Sequence, residues 1–163
     1  MDKLIIQNQV SDKLVNDFLF VLEIYQQMKP ELNQALNDSI CSENAYQTPN
    51  ILEFDLFQKV SLPLLEYIPY DMNLDLFHIH LIEYFNGGLQ RGHDHKKTED
   101  FSFILYLNDS DDGHSCFLKK NTIKIKPTKG KIIFFQSDIW HWGEHTSGNK
   151  KVAVGALKKI NNG

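Results

Sequence analysis

Histidines are the residues of this chain most able to do chemistry, and all seven of them follow residue 77. His93 and His95 form a close pair, and His141 stands far downstream of them. Two lysines, Lys150 and Lys151, come soon after the third histidine. A close imidazole pair, a distant third imidazole and a cation just beyond it are typical of an open metal site that also binds an anion. The pattern therefore predicts a metal centre suited to oxidative chemistry.

The spacing of the close pair indicates which side chains converge. On a strand, side chains at positions i and i+2 point to the same face, so His93 and His95 would converge while Asp94 faces away. His141 follows an apolar segment and a polar turn, and in a β-barrel such a segment can return beside an earlier strand. Three ligands on one side of a metal leave the opposite positions free for substrate and dioxygen.

The remaining histidines have structural interpretations. His78 and His80 lie in an otherwise apolar segment and are interpreted as packed or hydrogen-bonded interior residues. His114 falls in a predicted turn. His145 lies four residues beyond His141 and competes with it as the distal ligand, although its surroundings are typical of a loop.

The elements that must position these residues change character along the chain. All nine glycines lie at or after Gly87, so the first part favours helices and the second favours strands broken by turns. Ser11 is a suitable cap for a first helix with apolar residues at helical spacing. Pro30 suits the start of a second helix, and a third is predicted over 52–67, kinked or divided at Pro63.

From Leu74 onward the apolar pattern has a period of two, with Gly87-Gly88 among the predicted turns. Strands are predicted over 76–85, 101–107, 116–119, 122–126, 131–135 and 151–157. So many short strands predict a mainly β, α+β fold: a jelly roll, or double-stranded β-helix, with the N-terminal helices packed on one face. We expect a single domain, in which residues 1–73 form a mostly helical support region and 74–160 the jelly-roll core.

Composition excludes several classes of function. The net charge of −4 gives no electrostatic reason to expect nucleic acid as a partner. No apolar run approaches the roughly 20 residues that a membrane helix needs. The two cysteines are far apart and lack CxxC spacing, which is typical of reduced thiols and predicts a cytoplasmic protein.

About half of the chain, residues 76–157, resembles the prolyl-hydroxylase-like branch of the iron(II)- and 2-oxoglutarate-dependent dioxygenases. Six short motifs occur in the order and at the spacing of that branch. They are Glu83–Gly88, Gly92–His95, Ile104–Asn108, Asp112-Gly113 with Phe117, Pro127–Gly130 before Ile133–Ser137, and His141 followed ten residues later by Lys151.

The resemblance implies a role for individual residues. It implies that His93 and His141 are iron ligands, and that Lys151 pairs with the distal carboxylate of 2-oxoglutarate, with Lys150 as the second choice. It further implies that Tyr84 and Tyr106 help to hold that carboxylate, although both would also fit as interior aromatic residues.

The third ligand departs from the family's His-x-Asp motif, because its position is occupied by His95. Regular alternation along a strand favours His95 as the ligand. A bulged strand would instead turn Asp94 inward and restore a carboxylate. Both alternatives are open at this point.

The activity implied by the resemblance is hydroxylation of a C–H bond, with dioxygen and 2-oxoglutarate consumed and succinate and CO₂ released. Ascorbate is a candidate reductant, and the primary substrate would be a peptide or protein side chain or a small molecule. Two alternatives are a cupin-like three-histidine dioxygenase that does not use 2-oxoglutarate, and a catalytically silent jelly-roll binding module.

Overall fold

The computed structural model describes residues 3–30, 42–69, 72–96 and 98–160. Two α-helices and nine strands occur in this part of the chain. In chain order they are β1 (Ile5–Gln9), α1 (Asp12–Met28), β2 (Ser42–Gln47), α2 (Asp55–Ser61), β3 (Leu74–His93), β4 (Phe101–Tyr106), β5 (Ser115–Leu118), β6 (Thr122–Ile125), β7 (Lys131–Gln136), β8 (His141–Gly143) and β9 (Lys150–Lys159). The predicted second helix falls mostly on 31–41, outside the described residues.

The strands form one curled antiparallel sheet in the order β1-β7-β4-β9-β3-β8-β5-β6, with β2 paired to β3. Neighbours in this order are often distant in sequence, as in a jelly roll. The predicted double-stranded β-helix with helices on one face is therefore confirmed. No helix in the described ranges has the length and apolar character needed to cross a membrane.

The face of the sheet that packs against α1, here called the outer face, is apolar. The helix begins where the sequence predicts, because the Ser11 side chain accepts a hydrogen bond from the backbone N–H of Leu14 at 3.2 Å. Its buried residues then recur at helical spacing and meet the outward side chains of β3, β4, β7 and β9. The main contributors are Val15, Phe18, Leu22, Ile79, Leu81, Phe103, Leu105, Phe134, Ala153 and Leu157.

The opposite face, here called the inner face, lines the interior of the barrel. It is also largely apolar, with Ile82, Tyr84, Ile104, Tyr106, Phe117, Ile133, Phe135, Ile139 and Val152 buried. The central strands are therefore apolar on both sides. Hydrophobic alternation in such strands does not indicate which residues point inward.

The first 73 residues supply strands as well as helices. β1 pairs with β7 at one edge of the sheet, and β2 pairs with β3. The predicted third helix is divided into a 3₁₀ turn at Ile51–Glu53, helix α2 and a 3₁₀ segment at Leu62–Tyr67. Pro63 lies in the first turn of that last segment, and since proline has no backbone N–H it cannot continue the α-helical hydrogen bonds of α2.

Gly87-Gly88 is not a turn between strands, contrary to the prediction. β3 runs through both glycines, and Gly87 has a φ of 84°, which a residue with a side chain rarely adopts. The register with β2 shifts here, and the Gly87 N–H donates to the Thr146 carbonyl at 2.7 Å. The strand therefore bends without ending, and its last part pairs with β8.

Candidate metal and co-substrate site

The structure brings His93, His95 and His141 together. One candidate ligand atom from each lies within 4.8 Å of the others. The rings of His93 and His141 are 4.2 Å apart between centroids, because these residues face each other in the register of β3 and β8. The ring of His95 lies 4.6 Å from that of His93 and 5.3 Å from that of His141.

Main-chain carbonyls fix the orientation of two of these rings. Nδ1 of His93 lies 2.7 Å from the carbonyl oxygen of Arg91, and Nδ1 of His141 lies 2.9 Å from that of Ile139. A carbonyl oxygen only accepts hydrogen bonds, so each Nδ1 carries the proton and each Nε2 keeps its lone pair. This arrangement is usual for metal-binding imidazoles.

His95 occupies the third position of the cluster, and Asp94 does not. β3 ends at His93, and the chain beyond it is tied down by a hydrogen bond from the His95 N–H to the Ser137 carbonyl at 2.7 Å. The carboxylate of Asp94 instead faces the backbone N–H of Lys96 at 3.4 Å.

The electrostatics of the cluster suit a metal. Burial lowers the pKa of all three imidazoles, and that of His141 falls to about 3, with the charge of His93 as a second cause. The rings are therefore neutral near pH 7, the form that coordinates a metal. Three neutral nitrogen donors fit a first-row transition metal such as iron and leave coordination positions for other ligands.

A cavity of about 410 Å³ opens beside the three histidines. Its walls combine apolar and polar side chains. The polar lining residues are Ser42, Gln47, Thr48, His78, His80, Gln90, Glu99 and Ser102, in addition to the three clustered histidines.

The four other histidines lie outside the cluster. His80 faces the Thr48 carbonyl through Nδ1 at 2.9 Å, and both His78 and His80 line the cavity. His114 lies 3.7 Å from Glu144. His145, considered above as a competing distal ligand, is exposed and directs Nδ1 at the Gly87 carbonyl.

Lys151 is not brought to the histidines. It lies opposite Glu83 in the register of β9 and β3, and its Nζ is 4.0 Å from that carboxylate. Both side chains project from the outer face, where Lys151 lines a groove along α1 with Gln26. Lys150 alternates onto the inner face together with Val152 and Val154, so the structure directs Lys150, and not the predicted Lys151, into the interior.

Lys150 points into the barrel. Its side chain lies opposite Tyr84, only 5% exposed, with Nζ 5.1 Å from the centre of the tyrosine ring. Nζ donates to the Gly113 carbonyl at 2.7 Å, and burial lowers the pKa of the lysine to about 8. A Cβ added to Gly143 would lie 3.6 Å from Nζ, so the amine sits beside β8, two residues from His141.

Tyr84 and Tyr106 lie on the same inner face as Lys150. The Tyr84 hydroxyl is 2.9 Å from Oγ of Ser42, and the Tyr106 hydroxyl donates to Oγ of Ser115 at 2.5 Å. Ser115 pairs with Gly143 across β5 and β8, which places Tyr106 near the lysine tip. Burial raises the pKa of Tyr106, so its phenol stays protonated and can donate.

Several solved structures have a similar fold. Similar chains include a prolyl-4-hydroxylase from Pseudomonas putida, with 18% identity, a TM-score of 0.64, and coverage of 96% of this chain and 92% of that one. A viral collagen prolyl hydroxylase from Paramecium bursaria Chlorella virus-1, in complex with 2-oxoglutarate, has 20% identity, a TM-score of 0.64 and coverage of 96% of both chains. HygX from Streptomyces hygroscopicus, with nickel, 2-oxoglutarate and hygromycin B bound, has 11% identity, a TM-score of 0.65, and coverage of 98% of this chain and 83% of that one.

Sequence comparison gives the family. A search of curated proteins returned no match. Residues 70–157, which include the three clustered histidines, Lys150 and both tyrosines, match the family model of the 2OG-Fe(II) oxygenase superfamily. Since this match covers more than half of the chain, the protein belongs to the 2OG-Fe(II) oxygenase superfamily and is an oxygenase that uses iron(II) and 2-oxoglutarate.

Proposed function

We propose that His93, His95 and His141 hold the iron of this oxygenase, and that the enzyme hydroxylates a C–H bond of a substrate bound in the adjoining cavity. The observation that carries this proposal is the convergence of three candidate imidazole ligand atoms within 4.8 Å at the wall of that cavity. The imidazoles are neutral and two of them are held by carbonyl groups, so little rearrangement is needed before metal binds.

Iron(II) with 2-oxoglutarate and dioxygen supplies the oxidising power, and succinate and CO₂ are the co-products. The contribution of the protein is to bind, orient and exclude water. Carbonyl oxygens of Arg91 and Ile139 hold the proton on Nδ1 of His93 and His141. Phe135 shields one side of the centre, because its ring lies 4.7 Å from that of His141 between centroids.

Lys150, rather than Lys151, is our proposed partner for the distal carboxylate of 2-oxoglutarate. Three observations support this choice. Lys150 is buried, its Nζ lies beside Gly143 of β8, which is two residues from His141, and this Nζ contacts a neutral carbonyl. A buried ammonium is costly unless it meets an anion, and a dicarboxylate would provide one. The phenols of Tyr84 and Tyr106 lie on the same inner face, and we propose them as further hydrogen-bond donors to that carboxylate.

The cavity and the similar structures support a peptide or a small polar molecule as the substrate. Two of the similar structures are prolyl hydroxylases and a third holds hygromycin B, so both peptides and small polar molecules are acted on or bound within this fold. The polar walls formed by Gln47, Thr48 and His80 suit a substrate rich in hydrogen-bonding groups.

The buried free thiol of Cys116 agrees with a reducing compartment, and we propose that the enzyme acts in the cytoplasm.

An anaerobic titration tests the proposed function. The protein is loaded with one equivalent of iron(II), and 2-oxoglutarate is added while the visible absorption spectrum is recorded. We expect a charge-transfer band that saturates at one 2-oxoglutarate per iron, and succinate after air is admitted. Iron binding without the band would favour the cupin-like alternative, and the band without succinate in the presence of any candidate substrate would favour a silent binding module.

A further inference from the structure

Glu99 is a buried carboxylate beside the metal ligands. Its side chain is only 2% exposed and lines the same cavity as the three clustered histidines. In the described part of the chain, the basic side chains within 4.0 Å of its carboxylate are the rings of His78 and His95, and neither a lysine nor an arginine is among them. A buried charge without a strong partner is costly, so its position calls for an explanation.

Hydroxyl groups hold this carboxylate in place. Oγ of Ser102 donates to Oε2 of Glu99 at 2.7 Å, and Oγ of Thr98 donates to Oε1 at 3.4 Å. Oγ of Ser102 in turn lies 3.2 Å from Oγ of Ser137. The carbonyl of Ser137 accepts a hydrogen bond from the N–H of His95. Glu99 is therefore connected to this histidine through Ser102 and Ser137.

The three ligand histidines differ in what faces Nδ1. For His93 and His141 it is a neutral main-chain carbonyl. For His95 it is the carboxylate of Glu99, with Oε1 at 3.7 Å from Nδ1. That distance exceeds a hydrogen bond, but the electrostatic interaction between a carboxylate and the ring still acts over it.

We propose that Glu99 is a positioning residue that supplies, through His95, the negative charge that a directly bound carboxylate would otherwise provide. The proposal rests on the proposed function, because it takes His95 as an iron ligand. Three neutral imidazoles leave the full charge of the metal uncompensated by the protein. A fixed carboxylate behind one of them makes that imidazole a stronger donor and favours the proton on its Nδ1. The carboxylate of Glu99 would then lie behind His95, whereas the carboxylate of the His-x-Asp motif would bind the metal directly.

The deciding substitution is Glu99→Gln, which keeps the size of the side chain and an acceptor for Ser102 but removes the charge. We expect iron(II) to bind about 10- to 100-fold more weakly, measured anaerobically by competition with a chelator. The Fe(III)/Fe(II) reduction potential should become more positive, since the oxidised metal loses more stabilisation than the reduced one. Neither measurement depends on turnover.

Asp94→Asn is the matched control, since it removes the same charge from the residue between two ligands. Its carboxylate faces the Lys96 N–H rather than the cluster, so we expect iron affinity within about threefold of wild type, as for a screened charge outside the site. Glu99→Asp keeps the charge and should bind iron more tightly than Glu99→Gln. A melting curve of each metal-free variant verifies that it is folded.

The outcomes separate this inference from the proposed function. If Glu99→Gln matches wild type in iron affinity and in potential, the inference is overturned, while the three-histidine site stands. If Glu99→Asp binds as weakly as Glu99→Gln, charge is not the cause and the inference is also overturned. If Asp94→Asn is the variant that loses iron, the ligand is Asp94. A wild-type protein that binds no iron would instead contradict the proposed function itself.

Discussion

The two faces of the sheet have similar apolar cores but different polar residues. The outer face packs against α1 with apolar side chains and carries a buried carboxylate, Glu83, which is paired with Lys151 and accepts a hydrogen bond from Gln26. The inner face carries an equally buried apolar cluster, yet it also holds His141 and Lys150, which are 3% and 5% exposed. A buried ionisable group is costly unless it is paired with an opposite charge. His141 and Lys150 hydrogen-bond to main-chain carbonyls instead, so they mark the face that carries function, whereas apolar content does not.

Lys150 and Lys151 show this difference within one dipeptide. Their side chains leave the same strand in opposite directions because strand side chains alternate. One amine is buried on the inner face against a carbonyl and a tyrosine ring, and the other is one-third exposed near a glutamate. The comparison predicts that substitutions on the inner face remove ligand binding, while substitutions on the outer face remove stability.

The largest effect is expected from His141→Ala. Loss of a central ligand should abolish iron retention after anaerobic desalting, because two imidazoles do not hold the metal against dilution. The matched control is His145→Ala, which alters an exposed histidine whose Nδ1 faces the Gly87 carbonyl and should keep one iron per chain. Metal analysis of both variants checks this, and retention of iron by the His141→Ala protein would show that the ligand set is wrong.

Phe18→Ala tests the contribution of the outer face to stability. Phe18 is completely buried between α1 and the sheet, so its truncation should lower the free energy of unfolding by about 3–5 kcal/mol. Phe20 lies on the same helix but is 63% exposed, and Phe20→Ala should change stability by at most about 0.5 kcal/mol. Urea unfolding of the metal-free proteins measures both. A folded Phe18→Ala protein that no longer bound iron would contradict the separation of the two faces.

Lys150→Met and Lys151→Met test the two faces at neighbouring positions. Removing a buried charge partner costs about 2–5 kcal/mol, so Lys150→Met should weaken 2-oxoglutarate binding by about 30-fold or more. Lys151→Met removes a long ion pair, 4.0 Å from Nζ to the Glu83 carboxylate, on the opposite face of the sheet, and should leave the affinity for 2-oxoglutarate within about twofold. Titration of the iron(II) charge-transfer band provides the dissociation constants. The reverse order of effects would restore Lys151 as the partner.

The pH dependence of 2-oxoglutarate binding is the smallest of these effects. Burial lowers the pKa of Lys150 to about 8 from 10.5, so the ammonium loses its proton as pH rises through that value. The affinity for 2-oxoglutarate should then fall by up to about tenfold per pH unit above 8, and Lys150→Met should remove this pH dependence.

Since the pKa of Lys150 is lower in the folded protein than in the unfolded chain, the unfolded chain binds more protons between pH 8 and 10.5. This lysine therefore makes the ligand-free protein more stable as pH rises through that window.

Local signals predicted much of the fold. Ser11 and the apolar residues after it define α1, and the change to a period of two at Leu74 marks the sheet. β1 and β2 were missed because edge pairing depends on distant partners in β7 and β3. Gly87 was assigned to a turn because a positive φ serves equally in a turn and in a bent strand.

The metal ligands could be predicted from the sequence, but the lysine and the carboxylate near them could not. Three histidines at distinctive spacing indicated the metal cluster, and the structure assembles it. The sequence did not indicate which of the adjacent lysines points into the interior, because β9 has apolar neighbours on both faces. Glu99 gave no signal, since its relation to His95 depends on the way the chain after β3 folds back onto Ser137.

A crystal structure grown anaerobically with manganese(II), as a stable substitute for iron(II), and 2-oxoglutarate tests the central claim most directly. We expect one metal ion bound by His93, His95 and His141, with the distal carboxylate of the 2-oxoglutarate against Nζ of Lys150. A metal ion bound by Asp94 in place of His95, or a carboxylate that does not contact Lys150, would contradict it.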